Sequence, residues 1–150
     1  MAEVRAMAER SIKAPAERVY SYIADYREHH HRFLPPAFSD FAVEQGGVGE
    51  GTVVRFRLSA GRRSREYRQM VTEPTPGRVV RESDLGSSSV TNFTVTPDGD
   101  NSLVRIETTW QGAGGVGGFF ERLFAPRVLR RLYADELARL DRYAQEQAAA

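Results

Sequence analysis

Cysteine is absent from the 150 residues, which excludes disulfides and thiolate metal sites and fits a reducing compartment. Lysine is nearly absent: of 21 basic residues only Lys13 is lysine, the arginine bias that a GC-rich genome produces. Long apolar runs are missing too. No stretch approaches the roughly 18 residues that a membrane span needs, so stable membrane insertion is not expected. The opening MAEVRAMAERSIKAP carries charges where a signal peptide needs an apolar stretch, and a cytoplasmic protein is expected. A net charge of +1 gives no global attraction for nucleic acid or anionic membrane. The hydrophobic content of 41% and charged content of 27% are ordinary for a soluble globular chain. The length predicts one domain, residues 1–150, able to bury a core or to fold around a cavity.

What is present is an order of short elements. Val4, Ala6 and Ala8 alternate with charged residues up to Ile12, as in a strand with one solvated face. Pro15 then stands at or near the first position of a helix carrying Val19, Tyr20 and Ile23 at helical spacing. A second short helix is expected over Glu28 to His31, stopped by Pro35 and Pro36. Strand-like runs come next, separated by GGVGEG, SAGR, EPTPGR, DLGS and PDGDN. Connections this short favour an antiparallel meander over parallel pairing. After GAGGVGG, the positions Phe120, Leu123, Phe124, Val128, Leu132, Leu140 and Tyr143 mark the stripe of a long amphipathic helix, which Pro126 should kink or delay. The layout is α+β, with the terminal helix needing the sheet to cover its stripe.

Several pieces together resemble a known family. They are I-x-A-P-A-E-x-V-Y-x-Y-I-A-D (Ile12 to Asp25), the G-x-G-T turn (Gly49 to Thr52), V-T-E-x-x-P-G-R (Val71 to Arg78) and the terminal E-L-A-R-L (Glu136 to Leu140). In order and spacing they are similar to the polyketide cyclase/dehydrase and lipid-transport group of the START-like (SRPBCC, Bet v 1-like) superfamily. The resemblance implies a helix-grip fold, a curved antiparallel sheet wrapped around a long C-terminal helix with two short helices after the first strand. It covers nearly the whole chain. The group holds aromatase/cyclases, lipid and quinone carriers and many binders, so it specifies the fold more closely than the function.

Three motifs compete for attention. All three histidines are consecutive, His29 to His31, but successive residues point about 100° apart on a helix, whereas ligands on one helix face want i,i+4 spacing. No metal is expected, and one of them, His31, is taken to point into a pocket mouth. In the family resembled, this link borders the cavity mouth, and Phe33, Leu34 and Pro35 look like the F-L-P of its quinone-binding members. Gly112, Gly114 and Gly117 match G-x-G-x-x-G, with Asp135 downstream. A dinucleotide fold needs a parallel strand after that helix, and here Asp135 falls inside the helical stripe, so the glycines read as a flexible gate. Six arginines between Arg55 and Arg68 are interspersed with Glu66 and read as a solvated outer face.

The inner face carries the functional reading. Counting by two places Phe41, Val43, Val54, Phe56, Leu58, Tyr67, Gln69, Val71, Thr91, Phe93, Val95, Ile106, Thr108 and Trp110 on one side of the sheet, toward the helix. Gln69, Thr91 and Thr108 would each cost about 1 to 3 kcal/mol if buried without partners, so a partly hydrated cavity places them better than a dry core does. The expected function is binding or transport of a hydrophobic small molecule, a lipid, quinone or polyketide. The candidate contacts are His31, Phe33, Leu34, Val54, Phe56, Tyr67, Gln69, Thr91, Phe93, Thr108, Trp110, Phe120, Phe124, Val128 and Leu132, with Tyr67, Gln69 and Trp110 orienting the ligand. One alternative is a cyclase or dehydratase using the same cavity, with Tyr67 and His31 as its proton-transfer candidates. Another is a stress-related or regulatory interaction module acting through the Arg55 to Arg68 hairpin. No Ser-His-Asp order, no carboxylate pair at useful spacing and no cofactor motif is present, so no catalytic residue is assigned and no cofactor or nucleic-acid partner is expected. Ligand identity and oligomeric state are not legible.

Overall fold

The computed structural model describes residues 3–60, 62–112 and 115–149, without the side chains of 60, 63 and 115–124. Seven strands form one antiparallel sheet in the order β1-β7-β6-β5-β4-β3-β2. They are β1 (Glu3–Ile12), β2 (Phe38–Gln45), β3 (Val53–Ala60), β4 (Arg63–Thr75), β5 (Val79–Asp84), β6 (Val90–Asp98) and β7 (Asn101–Gln111). Helix α1 (Ala16–Ala24) and a 3-10 turn (His30–Phe33) carry the chain from one sheet edge to the other, and α2 (Gly115–Ala149) closes the fold. The meander expected from the short turns is present from β2 to β7, and β1 returns to pair with β7.

Pro15 is the N-cap of α1, one residue before the helix, and the helix buries Val19, Tyr20, Tyr22 and Ile23. The segment after α1 differs from the second helix expected over Glu28 to His31. Asp25 Oδ1 accepts the backbone N–H groups of Arg27 and Glu28 at 3.1 and 2.9 Å, and its carbonyl accepts those of His29 and His30. These bonds close a capped turn over residues 26–29, and the helical segment that follows is a 3-10 turn beginning two residues later than expected. Gly49, in the next loop, donates to the Ala24 carbonyl at 2.9 Å with φ +66°, and a Cβ there would lie 2.9 Å from Glu73 Oε2. Only glycine meets both demands.

Helix α2 runs unbroken in assignment from Gly115, so Pro126 lies inside it and does not delay its start. Of the glycine segment taken as a gate, Ala113 and Gly114 lie outside the described residues. Asp135 pairs with Arg139 on the same helix at 3.2 Å, and no parallel strand follows it. The buried face of α2 centres on Tyr133, Glu136, Leu137, Leu140, Tyr143 and Ala144, an i,i+3/i+4 series that includes Leu140 and Tyr143 of the expected stripe but not Val128 or Leu132. Val128 is 47% exposed.

Two interactions fix α2. Leu137, Leu140 and Ala144 join Ile12, Val19, Ile23, Phe33, Val104 and Ile106 in the main apolar core. Asp141 then ties the helix to β1: Oδ1 accepts the Lys13 N–H at 3.0 Å and Oδ2 accepts from Arg10 Nη2 at 3.3 Å. Replacing Leu140 with alanine should cost about 2 to 5 kcal/mol in urea unfolding, because a fully buried side chain leaves a cavity. Asp141→Ala should cost about 1 to 3 kcal/mol by removing the charged acceptor of the part-buried Lys13 N–H bond, whereas Arg10→Ala, removing the half-exposed partner, should cost under about 1 kcal/mol. Equal losses for the last two would show that the ion pair, rather than the backbone bond, holds the helix.

Candidate functional site

A cavity of about 610 Å³ opens between the sheet and α2. It lies where the curved sheet diverges from the half of α2 that precedes Leu137. Strand pairing builds one wall: Phe56 stands opposite Tyr67, their rings stacked at 5.5 Å, with Phe38 against Phe56 at 5.3 Å. Trp110, Gln111 and Ser87 to Ser89 stand at the more exposed end beside Arg65, whose guanidinium lies 4.3 Å over the Tyr67 ring and binds Asp84 at 2.9 Å. Ala125, Val128, Leu129 and Tyr133 form the helix side.

The deep end is polar. Strand register sets Thr108, Thr91, Glu82 and Val71 side by side across four strands, with Gln69 diagonal to Glu82. A hydroxyl chain links Thr91 to Thr108 at 2.6 Å and Thr108 to Tyr133 at 2.5 Å. On the opposite side Tyr26 donates to Glu82 Oε2 at 2.6 Å and stacks on His30 at 4.2 Å. His30 Nε2 lies 3.8 Å from the same carboxylate oxygen. Glu136 projects in from α2, and its Oε2, like Gln69 Oε1, is buried without a hydrogen-bond partner.

Burial governs the ionisation of these groups. It pushes the Glu82 carboxyl up to about 7 against the partial relief of the Tyr26 hydrogen bond. It pushes Glu136 well above the usual carboxylate range, an effect that the Glu82 charge adds to. It pushes His30 down to about 4, opposed by the bond to the Ile23 carbonyl. At neutral pH the imidazole is therefore neutral, and burial favours the protonated form of both carboxyls.

Of the residues expected at the site, Leu34, Phe56, Tyr67, Gln69, Thr91, Phe93, Thr108, Trp110 and Val128 line the cavity. Others stand elsewhere. His31 is exposed, its Nε2 3.2 Å from the Arg27 carbonyl and its ring beside Phe41, because the three histidine rings diverge along the turn. His29 meets the Tyr143 hydroxyl at 2.5 Å, and it is His30 that faces the cavity. Phe33 and Val54 are buried in the core. Leu132 lines a separate outer groove with Ala37, Arg127 and Arg131. The side chains of Phe120 and Phe124 lie outside the described residues. Four arginines of the β3–β4 hairpin are engaged with carboxylates: Arg68 with Glu44 at 2.5 Å, Arg57 with Glu66 at 3.6 Å, Arg55 with both, and Arg65 with Asp84 at 2.9 Å.

Glu82, Glu136 and Tyr133 were missed by counting along the sequence, which found no carboxylate pair. The signal was available for each separately: Val80, Glu82 and Asp84 have the parity of an inward face, and Tyr133, Glu136, Leu137 and Leu140 share a helical face. Nothing in the sequence joins residues 54 positions apart.

Glu82 and His30 give opposite pH dependence. The unfolded chain loses the Glu82 proton near 4.5 and the folded chain near 7, so the stability this group contributes is present in acid and is lost as pH rises through about 7. The unfolded chain protonates His30 near 6.5 and the folded chain only near 4, so its contribution is lost as pH falls through about 4. Glu82→Gln should remove the first dependence alone. Its melting temperature, relative to the unaltered protein, should climb steadily between about pH 5 and pH 8. A constant difference would show that Glu82 does not titrate in this window.

Residues 3–145 match the family described as polyketide cyclase / dehydrase and lipid transport. The solution structure of the KanY protein is similar over 97% of this chain and 99% of that one, with a TM-score of 0.86 and 38% sequence identity. The Zhui aromatase/cyclase from Streptomyces sp. R1128 shares the fold at 15% identity, with a TM-score of 0.75 over 98% of this chain and 97% of its own. So does a START superfamily protein from Mycobacterium smegmatis, at 15% identity and a TM-score of 0.72 over 92% and 97%. No curated protein matches the chain. With an open antiparallel sheet wrapped on a long C-terminal helix, the helix-grip fold, and a family match over nearly its whole length, the chain belongs to the polyketide cyclase/dehydrase and lipid-transport family.

Proposed function

We propose that the chain binds a hydrophobic or aromatic small molecule in the cavity between the sheet and α2. The observation that carries this reading is the cavity itself: about 610 Å³, walled by Phe38, Phe56, Tyr67 and Trp110, with a few polar groups gathered at its deep end. Sites for small ligands have this composition, apolar surface for affinity and sparse polar groups for orientation. Each Å² of apolar surface removed from water contributes about 25 cal/mol, so a guest filling the aromatic part gains most of its affinity there. Lipids, quinones and polyketides all fit that description.

A second reading is supported by the paired carboxyls. A buried acid that titrates near neutrality can both give and take a proton, which is what cyclisation by dehydration requires. One carboxyl, ionised, would take the proton on the carbon next to a ligand carbonyl. The other, protonated, would give its proton to the β-hydroxyl, so that the C–O bond breaks, a C=C bond forms and water leaves. Glu82 and Glu136 take these roles in place of His31, which is outside the cavity.

Binding is tested with a lipophilic fluorescent dye. Phe56→Ala and Trp110→Ala should each weaken it about ten-fold, the loss of roughly one buried aromatic contact, while Met70→Ala on the outer face leaves it unchanged. A dye that ignores all three substitutions is not in the cavity. The catalytic reading is tested with the aldol of benzaldehyde and acetone, whose dehydration to benzylideneacetone is followed by absorbance. Acceleration over buffer with an inflection near pH 7, lost in Glu82→Gln, is expected; the buffer rate throughout would leave binding alone.

A further inference from the structure

The deep end of the cavity holds oxygen and nitrogen atoms that no described side chain or backbone group fills. His30 Nδ1 lies 2.6 Å from the Ile23 carbonyl oxygen, which can only accept, so Nδ1 carries the ring proton. In the neutral imidazole Nε2 is then an acceptor, and it faces Glu82 Oε2, another one, across 3.8 Å. Gln69 Oε1 and Glu136 Oε2 are buried acceptors without partners, their residues 5% and 2% exposed. Several nearby donors are already engaged. Tyr26 gives its proton to Glu82, the Thr91, Thr108 and Tyr133 hydroxyls bond to one another, and Arg65 is held by Asp84.

We propose that this deep end seats the primary ammonium group of an arylalkylamine whose apolar body lies between Phe56, Tyr67 and Trp110. The proposal rests on the reading that the cavity binds a small apolar molecule and names its class. An ammonium offers three N–H donors to a site with Glu82, Glu136 and Gln69 oxygens to fill. A hydroxyl could be held by amides or hydroxyls, with no carboxyl buried. Two carboxyls in an apolar chamber, with no basic side chain bonded to them among the described residues, are an unfavourable arrangement when ionised and empty, and a bound cation relieves it for both. The aromatic faces attract the same cation.

The groups facing Glu82 are Tyr26, His30 of the 3-10 turn, and Glu136 and Tyr133 of α2; Asp135 adds to the field on Glu136. Through the neutral range His30 stays uncharged and Glu82 ionises, so the affinity of a cation must rise with pH while that of a neutral analogue stays level.

Isothermal titration calorimetry of the full chain with phenylbutylammonium and with phenylbutanol compares the two on one scaffold. At about pH 8 the ammonium should bind about ten-fold more tightly, and at about pH 6 its advantage should fall below about three-fold. Glu82→Gln, checked for folding by circular dichroism, should remove the preference at about pH 8. Equal or tighter binding of the alcohol at both pH values overturns the amine assignment and leaves the binding reading intact. So does failure of both probes in protein that still binds the lipophilic dye. Failure of both probes and of the dye overturns the two together.

Discussion

Everything in this molecule depends on how α2 is held: its C-terminal half is fixed in the core, while the stretch from Ala125 to Tyr133 borders the cavity. Leu137, Leu140 and Ala144 enter the core, and Asp141 anchors the helix to the backbone at Lys13. Toward the N-terminal side of Leu137 the same helix presents Tyr133 and Leu129 to an open space and leaves Val128 half in solvent. A strongly curved sheet and a straight helix can touch closely only along part of their length. The cavity is that mismatch, held open because the anchored half is stable enough to carry the other.

The space is not simply apolar. Burial in a low-dielectric surrounding is what lifts Glu82 and Glu136 and lowers His30, and the same burial makes each unpartnered oxygen costly. The fold offsets part of that cost with Tyr26, and with the hydroxyl chain from Thr91 to Tyr133, but leaves Gln69 and Glu136 open. Groups left open at the end of an aromatic chamber bind or react with whatever enters it. Structural polar groups of a dry core would be satisfied from within.

Much of the fold was legible because its signals are local. Alternation along β3, β4, β6 and β7 placed Phe56, Tyr67, Gln69, Thr91, Phe93, Thr108 and Trp110 on one face, and the register puts them there. Local signals failed where the chain turns. The histidine triplet reads as a helix end, yet Asp25 captures the amides of Arg27 and Glu28, shifts the turn by two residues and rotates His30 inward in place of His31. The terminal helix is legible as an element, with Leu140 and Tyr143 on its buried face as expected, but Leu132 stands in the outer groove and Tyr133 and Glu136 face the chamber. A stripe counted on hydrophobicity passes over a buried glutamate, since its burial is decided by the sheet opposite.

The sequence by itself determined the single meander, the terminal amphipathic helix and the identity of the aromatic wall, because periodicity and turn chemistry act over a few residues. Only the tertiary structure decided which histidine faces the chamber and that Glu82 and Glu136 meet there. Those outcomes depend on how far a curved sheet stands from the helix across it, a distance set by packing between residues remote in the chain.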